Sequence, residues 1–139
     1  MTPSLFALTG FAAWTLLLTL LLLNMRGYYS FMSENKVALN QFSPDGNNTP
    51  GFGQRLTRAH LNCLEMLPSF GVLVLVAAYS EQLSIMSDTV MYVLYARIAQ
   101  SIIHMVSTSL VAVLLRATCW VVQLGLLLSY AYQLLAAGL

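Results

Sequence analysis

The sequence predicts an all-α membrane protein built as a four-transmembrane-helix bundle. Hydrophobic residues make up 58% of the 139 residues and charged residues only 8%, a composition unlike that of water-soluble domains. Predominantly apolar stretches lie near 5–24, 59–80, 89–110 and 115–137, and each approaches the roughly 20 residues that a spanning helix needs. They occupy most of the chain, so we expect residues 1–139 to form a single transmembrane domain.

The first span contains no charged residue and is rich in leucine. It lacks the basic start and small-residue cleavage pattern of a signal peptide, so we expect it to be retained. A polar loop over residues 33–57 follows and includes a turn-forming run from Ser43 to Gly51. The later connections are short, which predicts that the second, third and fourth helices are antiparallel neighbours.

The positive residues predict how the protein is oriented. Four of them, Arg26, Lys36, Arg55 and Arg58, flank the first loop, and Arg116 lies near the connection between the third and fourth spans. By the positive-inside rule the long loop faces the cytoplasm and both termini lie on the other side. A bacterial inner membrane and the endoplasmic reticulum both suit a multi-pass protein of this kind.

Several classes of function find no support in the sequence. The formal net charge of +1 gives no reason to expect nucleic-acid binding. Cys63 and Cys119 fall inside spans with neither metal-site nor disulfide spacing, so we expect packing roles and no metal. Phosphate-binding glycine loops and the sequence motifs of zinc proteases and serine hydrolases are lacking.

The second helix carries a column of polar residues. At about 100° per residue, Arg58, Asn62, Glu65 and Ser69 share a narrow stripe roughly 16 Å long. His60 points to nearly the opposite side, toward a helix interface or a neighbouring subunit. Arginine binds carboxylates in a bidentate manner, asparagine both donates and accepts, and glutamate receives ammonium groups. The column therefore indicates a zwitterionic, peptide-like ligand.

Two further helices carry polar stripes, and we expect these to face one another or a wet cavity. On the third helix the stripe comprises Arg97, Ser101, His104 and Thr108, with Gln100 at its edge; on the fourth it comprises Arg116, Gln123 and Tyr130. Charges such as Glu65 and Arg97 are expensive at membrane depth. Together they fit either an internal ion pair that fixes helix packing or part of a functional site.

These residues resemble the MAPEG family, the membrane-associated proteins of eicosanoid and glutathione metabolism, over about four-fifths of the chain. The second-helix motif is similar to that of the microsomal glutathione transferases. It reads Arg58-Ala59-His60-Leu61-Asn62-x-Leu64-Glu65, followed by Pro68 and Phe70. Further similarity comes from Arg97 with His104, and from Arg116-Ala117 followed by the run Ser129-Tyr130-Ala131-Tyr132-Gln133-Leu134-Leu135.

The resemblance implies homotrimers of four-helix protomers that bind glutathione, as a cosubstrate, between subunits toward the cytosolic helix ends. It implies that glutathione is held by Arg58, Asn62, Glu65, His104 and Lys36. Arg26 is an alternative to Lys36 as the contact near the end of the first helix. Arg116 would be catalytic by stabilising the glutathione thiolate, and Arg97 would form a supporting ion pair.

The sequence also departs from the family pattern. His104 replaces a tyrosine found in many members, and the spacing from Arg97 to Arg116 is about three residues longer. The function implied is a membrane-bound glutathione transferase, with peroxidase activity as a further option. Its partners would be glutathione, membrane lipids and a lipophilic electrophile arriving through the bilayer. The alternative is a non-catalytic lipid-binding or scaffold protein of the same fold, whose polar stripes only specify helix packing.

Overall fold

A computed structural model describes residues 1–34 and 36–138 of the chain. It contains four α-helices and a single-turn 3₁₀ helix, and the described residues include no strand. The helices are α1 (Pro3–Phe31), α2 (Phe52–Tyr79), α3 (Val90–Val106) and α4 (Leu110–Gly138), with the 3₁₀ turn (Leu83–Ile85) between α2 and α3. The prediction of an all-α bundle of four helices is confirmed.

Helix α1 is longer than its predicted span of 5–24. Pro3 occupies its first turn, where a missing N–H costs nothing, and the Thr2 hydroxyl accepts a hydrogen bond from the Leu5 N–H. The 29 residues give a helix about 43 Å long, which exceeds the thickness of about 30 Å of the hydrocarbon core of a bilayer. The helix therefore continues beyond the apolar part of a membrane and ends at Phe31.

Helix α2 starts at Phe52, seven residues before the predicted span. Gly51, at φ +80°, makes the turn into it, a backbone conformation that favours glycine. Pro68 lies inside the helix, where it lacks the N–H for an intrahelical hydrogen bond. Arg55 therefore belongs to the helix rather than to the loop that was predicted to extend to residue 57.

The connection between α3 and α4 is shorter than predicted. Helix α3 ends at Val106 instead of residue 110, and the next residue, Ser107, is extended. Helix α4 begins at Leu110 instead of residue 115, because the Ser109 hydroxyl accepts the N–H of Ala112 and caps the new helix. Thr108 consequently lies outside both helices and is exposed, so it does not belong to the polar stripe of α3.

The bundle core is formed mainly by α1, α2 and α3, with α4 packed most extensively on α3. Phe11 of α1 and Phe70 of α2 are fully buried, with ring centroids 5.6 Å apart. Successive helices alternate in direction, so α2 and α4 run parallel and both begin on the side of the long loop. They contact each other less than either contacts α3.

Three helices are long and apolar enough to cross a membrane, namely α1, α2 and α4. Helix α3 is apolar but has 17 residues, or about 26 Å of helical rise. Large side chains such as Leu16, Leu75 and Leu128 are more than half exposed on the outer surface of the protomer, as lipid-facing residues are. The chain is an integral membrane protein.

Candidate functional site

The polar column of α2 lies on the outer face of the single chain. Arg58, Glu65 and Ser69 are exposed, and Asn62 is half-buried. A different face of the helix is buried in the core and comprises Leu56, Ala59, Cys63, Met66, Phe70, Val74 and Ala77. Because apolar packing fixes the rotation of α2, the column is accessible to a ligand or to a neighbouring subunit.

His104 connects α3 to this column. The Asn62 side-chain amide donates a hydrogen bond to His104 Nδ1 at 3.3 Å, so Nδ1 accepts and the ring proton is on Nε2. His104 is 7% exposed. Arg58 and Arg116 lie near enough for both charges to act on its ring. The structure therefore brings together predicted site residues from α2, α3 and α4.

Arg58 and Arg116 lie at the same level of the bundle. Each comes six residues after the first residue of its helix, about 9 Å along the axis. His104 lies two residues from the end of the antiparallel helix α3 and contacts Asn62, one helical turn beyond Arg58. Arg116 is half-buried, and its Nε is buried without a hydrogen-bond partner among the described residues. The charges of two guanidinium groups thus act on an imidazole–amide pair, an arrangement suited to an anionic ligand.

Arg97 has no ion-pair partner among the described residues of the single chain, so its predicted supporting ion pair stays a prediction. Its side chain is fully buried, with the guanidinium carbon 5.3 Å from the centroid of the Phe11 ring. None of its three guanidinium nitrogens has a hydrogen-bond partner within residues 1–34 and 36–138. Glu65 is exposed on the outer face of α2, whereas Arg97 is buried and faces the core. In the single chain, Arg97 is therefore a buried cation stabilised by an aromatic face.

The polar stripes of α3 and α4 face one another, as predicted, and bond the two helices together. Gln123 donates to Gln100 Oε1 at 2.9 Å and to the Cys119 carbonyl oxygen at 2.9 Å. At the other end of α4, the hydroxyls of Tyr130 and Thr89 share a hydrogen bond of 2.7 Å. Gln123 and Tyr130 are almost completely buried, so these contacts serve packing rather than ligand binding.

Comparison with known proteins identifies the family of this chain. The model of the MAPEG family matches residues 4–136, nearly the whole chain. The chain belongs to the MAPEG family. No curated protein and no solved structure matches it. The family includes glutathione transferases and related proteins.

In this MAPEG protein Lys36 of the first loop and Arg26 of α1 differ in their surroundings. Lys36 is exposed in the loop, and its role in binding glutathione stays a prediction. Arg26, the alternative, lies with its guanidinium carbon 5.4 Å from the ring centroid of Phe42. Within the loop, Asn47 and Ser43 both hydrogen-bond to Asp45, and the Ser43 hydrogen bond in particular holds the pKa of that carboxyl below its usual value.

Two contacts add to what the sequence indicated. Arg55 Nε donates to the Met105 carbonyl oxygen at 2.8 Å and so satisfies an unpaired carbonyl at the end of α3, where a cation is favourable. His60 Nε2 donates to the Thr19 hydroxyl at 2.9 Å, because that hydroxyl already donates to the Thr15 carbonyl. His60 therefore lies at the α1–α2 interface, one of the two locations expected. Periodicity had indicated its direction but not its partner.

Cavities open at two places on the described surface of this MAPEG protein that bear on the site. One, of about 710 Å³, lies between the end of α1 and the loop and includes Arg26 and Phe42. The other, of about 520 Å³, is an apolar groove between α2 and α4. Among the described residues, no cluster of three or more histidine, cysteine, aspartate or glutamate side chains could hold a metal ion.

Proposed function

We propose that this MAPEG protein is a membrane-bound glutathione transferase that activates the glutathione thiol for attack on a lipophilic electrophile. The observation that carries the proposal is the Asn62–His104 hydrogen bond, which joins the polar column of α2 to α3 at a place where the charges of Arg58 and Arg116 both act. Peroxidase activity would need the same thiolate and therefore the same site.

The α2 column offers complementary charges for a zwitterionic tripeptide. Arg58 would bind a carboxylate and Glu65 the ammonium group, while Asn62 supplies both a donor and an acceptor. The seven-residue separation of Arg58 and Glu65 spans about 10 Å of helix, a length that an extended tripeptide can bridge. Lys36 would add a contact from the loop.

Arg116 would be the catalytic residue. A guanidinium beside the thiol favours the anionic form and so generates the nucleophile at neutral pH. Each tenfold gain in the thiolate-to-thiol ratio corresponds to about 1.4 kcal/mol, and a half-buried cation interacts with an adjacent anion more strongly than one in bulk water does. The buried Nε of Arg116, which has no partner among the described residues, supports this role.

A homotrimer would complete the site. The α2 column is exposed in the single chain, although charges at membrane depth need a partner or water. A neighbouring copy placed against α2 would enclose glutathione from the other side. We further propose that the loop side of the bundle, where Arg58 and Arg116 lie, faces the cytoplasm in a bacterial inner membrane or the endoplasmic reticulum. Both termini would lie on the opposite side.

The experiment is to mix the purified protein with glutathione and record the ultraviolet absorbance of the thiolate. We expect a signal at neutral pH that saturates with glutathione and is lost in Arg116→Ala. No thiolate signal at millimolar glutathione would refute the enzymatic proposal.

The second candidate is a non-catalytic lipid-binding or scaffold protein. Its support is the use of polar side chains for helix packing, seen in the Gln100–Gln123 and Thr89–Tyr130 hydrogen bonds. That role requires no thiolate, so glutathione binding without ionisation of its thiol would favour it.

A further inference from the structure

The cavity at the loop end of α1 lies on the face of that helix that points away from the bundle core. Near this end the core face is marked by the buried residues Leu22 and Met25. The cavity is lined instead by Leu23, Gly27 and Phe31, which follow one another at intervals of four residues and so share the opposite side of the helix. Leu23 and Phe31 are about two-thirds exposed in the single chain. The cavity therefore opens toward the lipid.

The loop forms the second wall of this cavity and is tied to α1. The Ser30 hydroxyl donates to the Val37 carbonyl oxygen at 2.7 Å, and the Tyr29 hydroxyl donates to the Pro50 carbonyl oxygen at 3.0 Å. These contacts hold the loop on both sides of Phe42, which lines the cavity. The volume of about 710 Å³ is within the range of small-molecule sites. The cavity is thus a defined space that can hold a ligand.

Arg26 lies at the depth of the lipid headgroups. The uncharged run of α1 from residue 5 to Leu23 is about 28 Å long, close to the hydrocarbon core of about 30 Å. Arg26 follows Leu23 by three residues, or about 4–5 Å. A Cβ added to Gly53 of α2 would lie 3.1 Å from the Met25 sulfur, so Arg26 is level with the start of α2. Arg58, five residues deeper than Gly53, is about 8 Å closer to the bilayer centre.

The Arg26 side chain is arranged to bind a phosphate. Its guanidinium carbon lies 5.4 Å from the centroid of the Phe42 ring, and an aromatic ring against the face of a guanidinium leaves the in-plane N–H donors free for a bidentate anion. Arg26 is the one charged residue among the described residues that line the cavity. The anions available at this depth are the phosphates of membrane lipids, which arginine binds through paired hydrogen bonds.

We propose that this cavity binds the headgroup of an anionic glycerophospholipid, with the phosphate on Arg26 and the tails in the bilayer beside Leu23. A zwitterionic headgroup brings an ammonium group as well. The described lining contains no acidic residue to receive that group, and the guanidinium repels it. The cavity is consequently selective for lipids with a net negative charge. The site is separate from the proposed glutathione site and does not depend on thiol chemistry.

The experiment counts lipids bound to the full-length protein by native mass spectrometry in a mild detergent. The probes are dioleoyl phosphatidylglycerol and dioleoyl phosphatidylcholine, each titrated to saturation. We expect one tightly bound phosphatidylglycerol per chain, with an affinity at least about fivefold above that of phosphatidylcholine, the usual effect of one basic residue on anionic-lipid binding. Equal affinities for the two lipids would overturn the proposal.

Two charge variants test the role of Arg26. Arg26→Gln should remove the preference for phosphatidylglycerol. Lys36→Gln is the matched control, because it removes the same charge from the exposed loop outside the cavity lining, and it should retain the preference. Equal losses in the two variants would overturn the proposal, since the lipid would then respond to the overall charge of the loop side.

Two glycine variants test the cavity itself. No described atom lies within 4 Å of a Cβ added to Gly27 or to Gly125, and leucine favours a helix more than glycine does, so both helices tolerate the change. Gly27→Leu should abolish the tightly bound lipid because it fills the cavity, whereas Gly125→Leu, outside the cavity lining, should not. Retention of the lipid in G27L would overturn the proposal.

Competition identifies the occupant. Neither glycerol 3-phosphate nor glutathione at millimolar concentration should displace the bound phosphatidylglycerol. Displacement by glycerol 3-phosphate would overturn the proposal in favour of a site for a soluble phosphate. Displacement by glutathione would overturn it by making Arg26 a glutathione contact.

Discussion

Replacing Arg97 with methionine should stabilise the protein. Arg97 is the largest of the fully buried side chains, and none of its guanidinium nitrogens has a hydrogen-bond partner among the described residues. A buried ion without a partner costs several kcal/mol. The guanidinium carbon of Arg97 lies 5.3 Å from the centroid of the Phe11 ring, and such a contact contributes about 0.5–2 kcal/mol. Methionine fills a similar buried space without a charge. We therefore expect the free energy of unfolding to rise by about 1–3 kcal/mol.

The assay unfolds the protein in mixed micelles with increasing dodecyl sulfate. Circular dichroism monitors the loss of helix, which gives the free energy of unfolding. Arg55→Met is the matched control, because Arg55 donates to the Met105 carbonyl oxygen. Its loss should destabilise the protein by about 1.5–3 kcal/mol, the usual worth of a hydrogen bond from a charged donor. Destabilisation by Arg97→Met of more than about 1 kcal/mol would refute the reasoning, because removal of an unpaired ion should not be costly. It would mean that Arg97 has an anionic partner in the assembled protein.

Three further predictions concern the site and the helix contacts. Arg116→Ala should reduce the rate of conjugation, measured by kinetics, at least about a hundredfold. It should weaken glutathione binding, measured by calorimetry, less than tenfold. Equal losses of rate and affinity would make Arg116 a binding residue only. His104→Ala should weaken glutathione binding about three- to tenfold, because Asn62 loses the acceptor at 3.3 Å that positions it. His104→Gln should recover part of the lost affinity. Unchanged affinity in the alanine variant would contradict the positioning role. Gln123→Leu should destabilise the protein by about 0.6–1.7 kcal/mol, since it breaks a buried interhelical hydrogen bond with Gln100; an unchanged unfolding midpoint would show that the pair contributes nothing.

The sequence was sufficient to predict the fold and the polar stripe on α2. Composition and four apolar stretches predicted the helices, and helical spacing placed Arg58, Asn62 and Glu65 on one face. Which way that face points was beyond the sequence, because the rotation of α2 is decided by the packing of residues such as Cys63 and Phe70 against α1 and α3. Periodicity assigns residues to a face but does not say what covers it.

Long-range partners were harder to predict. Glu65 and Arg97 have opposite charges and lie in neighbouring helices, but they face different directions, so the ion pair does not form in the single chain. The α2–α4 groove carried no sequence signal, since its apolar residues serve equally well for lipid contact and for packing. The start of α4 was misplaced because a single serine, Ser109, caps the helix five residues early.

The measurement that tests the account most directly is the thiol pKa of glutathione bound to the protein, obtained by titrating thiolate absorbance with pH. The account predicts that binding lowers this pKa from its value in water, and that Arg116→Ala restores it while glutathione still binds. A bound thiol that titrates as it does in water would contradict the central claim that Arg116 stabilises the glutathione thiolate.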